Sequence, residues 1–147
     1  MSSQTTTARP PRSSAIAVVV GIITAAAFSI ALNAGVAAIA LAAGASSDFV
    51  PLTPQAYGMW SVVGVLAGFA GWAVVRARSS RPRRLMRLLV PTVVSTSWTP
   101  DVLLVVNDWL PGAGWGAAIA LMAMHVVVAA VVVVICLRVL PLPTDRR

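Results

Sequence analysis

The stretch Arg-Ala-Arg-Ser-Ser-Arg-Pro-Arg-Arg-Leu-Met-Arg, residues 76–87, has two long apolar runs before it and two after it. It holds six of the eleven basic residues of the chain. A segment with this much positive charge is costly to place in hydrocarbon. We therefore expect it to stay at one membrane surface and to set the direction of every span. The basic residues of this arginine loop are Arg76, Arg78, Arg81, Arg83, Arg84 and Arg87.

The composition excludes an ordinary soluble protein. The chain has 147 residues, enough for one compact unit, and 59% of them are hydrophobic while 10% are charged. Soluble domains carry about 25% charged residues. The net charge of +7 alone would suit a nucleic-acid binder, but the arginines lie at the ends of apolar runs. We therefore expect no nucleic-acid partner.

The four apolar runs are predicted to be transmembrane helices at about residues 15–43, 55–75, 85–106 and 115–140, which gives an all-α four-helix transmembrane bundle. Residues 1–14 are predicted to be a disordered cytoplasmic tail, and residues 141–147 a second cytoplasmic tail. A signal peptide is the alternative for the first run, because Ala43-Gly44-Ala45 resembles a cleavage site. That run is about twice the usual 7–15 residues, which favours an uncleaved span.

The distribution of arginines predicts the orientation. Two lie before the first span, six in the middle loop and three at or after the end of the fourth span, which accounts for all eleven. The positive-inside bias then places both termini in the cytoplasm of a bacterial inner membrane, N-in and C-in. An aromatic belt is expected at the opposite boundary, formed by Tyr57, Trp60, Trp109 and Trp115.

Small residues at four-residue spacing predict where helices approach closely. Ala27, Ala31 and Gly35 form one such series in the first span, and Gly64 and Gly68 form a GxxxG pair in the second. The spacing does not separate packing within the chain from dimerisation. We favour packing within the chain, because three other spans are available.

The third span is the least apolar, and Pro91 and Pro100 interrupt its backbone hydrogen bonding. Carbonyls freed by proline need other partners in a membrane, and hydroxyls are plentiful in this span. We therefore expect it to face protein rather than lipid. The hydroxyl residues are Thr92, Ser95, Thr96, Ser97 and Thr99.

Three strongly polar residues, Asn33, Asp101 and His125, lie within spans at similar predicted depths in the outer half of the membrane. An ionisable residue at such a depth is by default a candidate functional site. An Asp–His pair is able to share a proton or hold a cation. The alternative is structural, with Asp101 bonding backbone groups or hydroxyls and His125 joining the third and fourth helices.

Other chemistries find little support. Met122 and Met124 flank His125 and would suit Cu(I), but they point to different helix faces. Any chain with one His permits a triad such as Ser97, His125 and Asp101, and the sequence has no hydrolase elbow, phosphate-binding loop or HExxH pattern. We expect no enzymatic activity, no catalytic residue, no metal and no cofactor.

Two functions remain as hypotheses. The first is a structural, partner-binding or accessory membrane subunit, whose protein partner would be another membrane protein. The second is a small proton- or cation-coupled carrier built around Asn33, Asp101 and His125. The arginine loop is expected to contact anionic lipid headgroups, and docking of an acidic partner is its alternative role.

The chain also resembles an uncharacterised bacterial family of small four-span membrane proteins, known as a domain of unknown function. The resemblance covers about residues 15–141 and implies a four-helix membrane protein without a known activity. The pieces that carry it, in order, are Phe49 to Pro54, Gly64 with Gly68, Arg81-Pro82-Arg83-Arg84, Ser97 with Pro100-Asp101, Met124-His125, Arg138 and Pro141.

Overall fold

The computed structural model describes residues 14–143, and its helices account for most of them. All four long helices are long and apolar enough to cross a membrane, which confirms the all-α bundle with four candidate spans. Residues 1–13 of the first predicted tail and residues 144–147 of the second lie outside the described residues. The helices are α1 (Ala15–Ala42), α2 (Pro54–Arg78), α3 (Pro82–Val106) and α4 (Trp115–Val139), with a 3₁₀ turn at Val50–Leu52.

The arginine loop is much shorter than its sequence suggested. Helix α2 continues to Arg78 and α3 begins at Pro82, so residues 79–81 alone connect them. Hydropathy detects where a helix leaves hydrocarbon, not where it ends, and arginine is a good helix former. Proline at the first helical position suits the start of α3, since that position has no intrahelical amide bond to lose.

The ends of α1 follow from local chemistry. The Ser14 hydroxyl accepts a 3.0 Å hydrogen bond from the amide of Ala17 and caps the first turn. Gly44 follows the helix with a φ of 95°, and the amide of Ala45 bonds to the carbonyl of Ala40. This left-handed end, which glycine tolerates best, turns the chain toward α2.

Helix α4 is the centre of the bundle. It packs against each of the other three helices, while α1 also packs against α2. Gly64 and Gly68 of α2 lie against Val128 and Val132 of α4, with room for little more than a hydrogen at Gly68. The GxxxG pair thus faces a neighbour within the chain.

The packing face of α1 differs from the predicted one. Ala27, Ala31 and Gly35 are exposed, and the space around Gly35 is open. The buried series lies two positions away along the chain, roughly 200° around the helix. Alanine is abundant on every face of α1, so spacing alone did not select the right one. The buried residues of α1 are Gly21, Ala25, Ser29, Asn33, Ala37 and Ala40.

The other three helices of the chain do not enclose α3, so the prediction that the third span faces protein stays a prediction. Helix α3 lies at the edge of the bundle, mainly against α4, and its buried residues are Pro82 and Asp101. Two of its exposed hydroxyls donate to carbonyls of their own helix, Thr92 to the Leu88 carbonyl at 2.8 Å and Thr96 to the Thr92 carbonyl at 2.9 Å. Bonding of this kind lets a hydroxyl-rich helix tolerate lipid.

Two apolar clusters fill the interior, one toward each end of the bundle. Phe69, Trp72 and Cys136 belong to the cluster near the arginine loop, and Phe49 and Met124 belong to the other. Between them on α1 and α2 lie buried polar side chains, those of Ser29, Asn33 and Ser61. A polar layer therefore crosses the middle of the bundle.

Candidate functional site

Asp101 of α3 and His125 of α4 are brought together, as the pair predicted from sequence requires. Nδ1 of His125 lies 3.2 Å from Oδ2 of Asp101. The carboxylate side chain is 6% exposed and the imidazole 39% exposed, so the acid is inside the bundle and the base is at its surface. The pair joins two chain-neighbouring helices.

The hydrogen-bond geometry suggests how His125 carries its proton. Nδ1 also lies 2.9 Å from the carbonyl of Leu121, one turn earlier in α4. A hydrogen on Nδ1 is directed to the Leu121 carbonyl, and Oδ2 of Asp101, although close, has no hydrogen-bond partner within residues 14–143. That arrangement assigns the proton of a neutral imidazole to Nδ1 and leaves Nε2 as the acceptor.

A second polar contact runs beside the first. Nε1 of Trp98 donates to the carbonyl of Met122 at 3.3 Å. Because α3 and α4 run antiparallel, Trp98 lies one turn to one side of Asp101 and Met122 lies one turn to the opposite side of His125, so the indole reaches across the level of the Asp101–His125 contact. The sequence analysis did not identify Trp98 as part of this contact. The signal was available, because Trp98 lies within the third span one helical turn from Asp101.

Within residues 14–143, Asn33 makes no hydrogen bond to Asp101 or to His125. Its Nδ2 donates to Oγ of Ser61 at 2.9 Å, and this contact joins α1 to α2. Both residues are buried. Oδ1 of Asn33 and Oγ of Ser29, one turn earlier, have no partner in the described structure. The three predicted polar residues therefore form two separate contacts, each between helices adjacent in the chain.

The chemistry open to the pair is proton exchange. One carboxylate and one imidazole supply two ligands, whereas a structural zinc site needs four. Residues 14–143 contain no cluster of three or more His, Cys, Asp or Glu side chains placed to hold a metal.

The arginine end of the bundle holds a second polar arrangement. Three consecutive carbonyls, at residues 140–142, accept hydrogen bonds from side chains of α2 and α3. Helix ends leave such carbonyls without intrahelical partners, and Pro141 and Pro143 contribute no amides. Two arginines thus hold the segment that follows α4. The bonds run from Trp72 Nε1 to Leu140 at 2.8 Å, from Arg76 Nε to Pro141 at 3.0 Å and from Arg83 to Leu142 at 3.5 Å.

The remaining arginines of the loop are placed differently. Arg78, Arg81, Arg84 and Arg87 are exposed, and within residues 14–143 their guanidinium groups make no hydrogen bond or ion pair. Arg81 and Arg84 line an open cleft of about 300 Å³. The arginines predicted as one basic patch therefore divide into two that hold the segment after α4 and four whose guanidinium groups have no partner within residues 14–143.

Comparison with known proteins identifies a family whose function is unknown. A family model described as a family of unknown function (DUF6069) matches residues 5–141. No curated protein and no solved structure matches the chain. The match confirms the resemblance to a domain of unknown function.

Proposed function

The chain belongs to the DUF6069 family of unknown function, and we propose that it is a non-enzymatic accessory membrane protein that binds another membrane protein through α3. Its four candidate spans make it a multi-pass membrane protein. The proposed partner contributes a membrane helix with small residues and a hydroxyl or amide donor on the contacting face.

The observation that carries this proposal is the position of α3. It has the lowest mean hydropathy of the four spans and the smallest buried share. Pro91, Thr92, Thr96 and Thr99 are all exposed on it. Hydroxyls that already donate to their own helix keep lone pairs for a donor on a neighbour, and small side chains let two helices approach closely. Lipid tails offer neither interaction.

The seam between α3 and α4 supports the same proposal. The contacts of Asp101 with His125 and of Trp98 with Met122 fix the rotation of α3 on the bundle. The opposite side of α3 is then held in one orientation. A preorganised face loses less conformational entropy on binding than a loose one.

The test is photo-crosslinking in native membranes from residue 92, 96 or 99 of α3, with residues 23 and 27 of α1 as exposed controls. We expect one and the same membrane protein, identified by mass spectrometry, at the three α3 positions and not at the α1 positions. Adducts with a second copy of the chain would replace the proposal with self-association, and adducts with lipid alone would overturn it.

A carrier is the second candidate, favoured by one observation. Oδ2 of Asp101 is buried without a well-aligned hydrogen bond, and His125 beside it is partly exposed. Proton flux into proteoliposomes, measured for wild type, Asp101→Asn and His125→Ala, tests it. Loss of flux in folded variants would support the carrier. Unchanged flux with lower thermal stability would contradict it.

We also propose that the protein resides in a bacterial inner membrane with both termini in the cytoplasm. The support is the distribution of arginine, since the two loops at the opposite end contain Asp48 and Asp108 but no basic residue.

A further inference from the structure

We propose that the cleft between the α2–α3 link and the first two turns of α3 binds the headgroup of one anionic phospholipid. The cleft has a volume of about 300 Å³ and opens at the arginine end of the bundle. The inference does not depend on the partner proposed for α3. The lining residues are Ser79, Arg81, Arg84, Leu85 and Leu88.

The order of side chains along the cleft matches the order of groups in a phospholipid. Ser79 and Arg81 belong to the link, and Arg84 lies in the first turn of α3. Leu85 and Leu88 follow, about 6 Å of helical rise separating Arg84 from Leu88. Donors for a phosphate thus come first and apolar side chains for an acyl chain second.

The charges of the cleft lack a counter-charge in the described chain. The acidic residues among residues 14–143 are Asp48, Asp101 and Asp108, and the carboxylate of Asp101 lies against His125, away from the cleft. The guanidinium groups of Arg81 and Arg84 make no hydrogen bond or ion pair within residues 14–143, although the amide of Arg81 donates to Oγ of Ser79. A guanidinium group binds phosphate with two parallel hydrogen bonds, so two unpaired arginines beside one cleft suit a single phosphate group.

The leucines distinguish a lipid from free phosphate. Leu85 is 37% exposed and Leu88 63% exposed, on the part of α3 that enters the predicted span. Free phosphate would gain nothing from these apolar surfaces. A phospholipid covers them with its acyl chain while its headgroup stays at the level of the arginines.

Arg78 is the matched control. It is exposed, has no partner within residues 14–143 and belongs to the same basic segment, but it does not line the cleft. Arg78→Gln removes the same charge as Arg81→Gln or Arg84→Gln. Arg76 and Arg83 are unsuitable, since they bond carbonyls of the segment that follows α4.

The experiment titrates the purified full chain in detergent with dioleoyl phosphatidylglycerol or dioleoyl phosphatidylcholine and counts bound lipid by native mass spectrometry. We expect one phosphatidylglycerol to bind in preference to phosphatidylcholine. Each cleft substitution should weaken it about fivefold, from roughly 1 kcal/mol per arginine, and Arg78→Gln by less than about twofold. Equal losses in all three variants would overturn the site in favour of diffuse attraction.

Two further arms test the geometry. Arg84→Lys keeps the charge but loses the paired hydrogen bonds, so it should bind lipid more weakly than wild type. Leu85→Ala with Leu88→Ala should weaken phosphatidylglycerol binding and leave inorganic phosphate binding unchanged. Displacement of the lipid by equimolar phosphate, or indifference to the leucine substitutions, would overturn a lipid site. Melting temperatures verify that every variant remains folded.

Discussion

The indole Nε1 of Trp72 donates a 2.8 Å hydrogen bond to the carbonyl of Leu140, at the end of α4. Both residues are buried, and they are 68 positions apart in the chain. The contact ties the last turn of the central helix to α2. Arg76, one turn further along α2, bonds the next carbonyl.

Replacing Trp72 by Phe should therefore lower the free energy of unfolding by about 1–3 kcal/mol, because the Leu140 carbonyl is left buried and unbonded. Trp60 is 63% exposed and gives the control, for which Trp60→Phe should change little. Unfolding of the purified protein in mixed detergent micelles measures both. Equal effects of the two substitutions would contradict the role given to this bond.

Gly68→Ala should destabilise the bundle by about 1–3 kcal/mol through overpacking. An added Cβ would lie 2.8 Å from Cγ1 of Val132, a branched side chain with little freedom to move. Gly71 has open space around it, so Gly71→Ala should be neutral or stabilising, as expected for alanine in a helix. Adding Val132→Ala to Gly68→Ala should restore part of the loss, and its failure to do so would argue against this contact.

His125→Leu should destabilise the bundle more than the double substitution Asp101→Leu with His125→Leu. The single change leaves a buried carboxylate without its partner, whereas the double change removes both polar groups. We expect a difference of about 1–3 kcal/mol between the two variants in the same unfolding assay. An additive loss in the double variant would show that the pair does not couple.

Thr92→Val and Thr96→Val should each alter stability in detergent by less than about 0.5 kcal/mol. Both side chains are exposed and donate to carbonyls of their own helix, so valine of similar shape removes no contact between helices. Ser61→Ala is the contrasting change, because it removes the buried partner of Asn33. If the threonine variants lost as much stability as Ser61→Ala, α3 would not lie at the edge of the bundle.

Reporters inserted beside Asp48 and Asp108 should be active as periplasmic fusions, and a reporter in residues 79–81 as a cytoplasmic one. The reason is that the loops containing Asp48 and Asp108 have no arginine, whereas arginines are concentrated around the connection between α2 and α3. Cell fractionation verifies that each fusion is inserted. A cytoplasmic signal at Asp48 or Asp108 would refute the proposed orientation.

The number and extent of the spans could be predicted from the sequence because hydropathy is a local property. Each span is a long apolar run bounded by polar or turn-forming residues, and the described helices differ from the predictions mainly at the arginine loop, where α2 and α3 continue beyond the apolar residues. The meeting of Asp101 with His125 was likewise foreseeable, since a short loop joins their helices and both lie at similar depth.

The rotation of each helix was not predictable in this way. An alanine-rich α1 offers similar small side chains on all faces, so contact with α2 and α4 decides that Asn33 turns toward Ser61 while Ala27 and Ala31 turn outward. Helix α3 is able to stay at the edge of the bundle because the hydroxyls of Thr92 and Thr96 donate to carbonyls of their own helix. The sequence by itself determined how many helices are long and apolar enough to cross a membrane, and at which end of the bundle the arginines lie. Packing between helices decided which faces meet, because that choice depends on the shapes of side chains far apart in the chain.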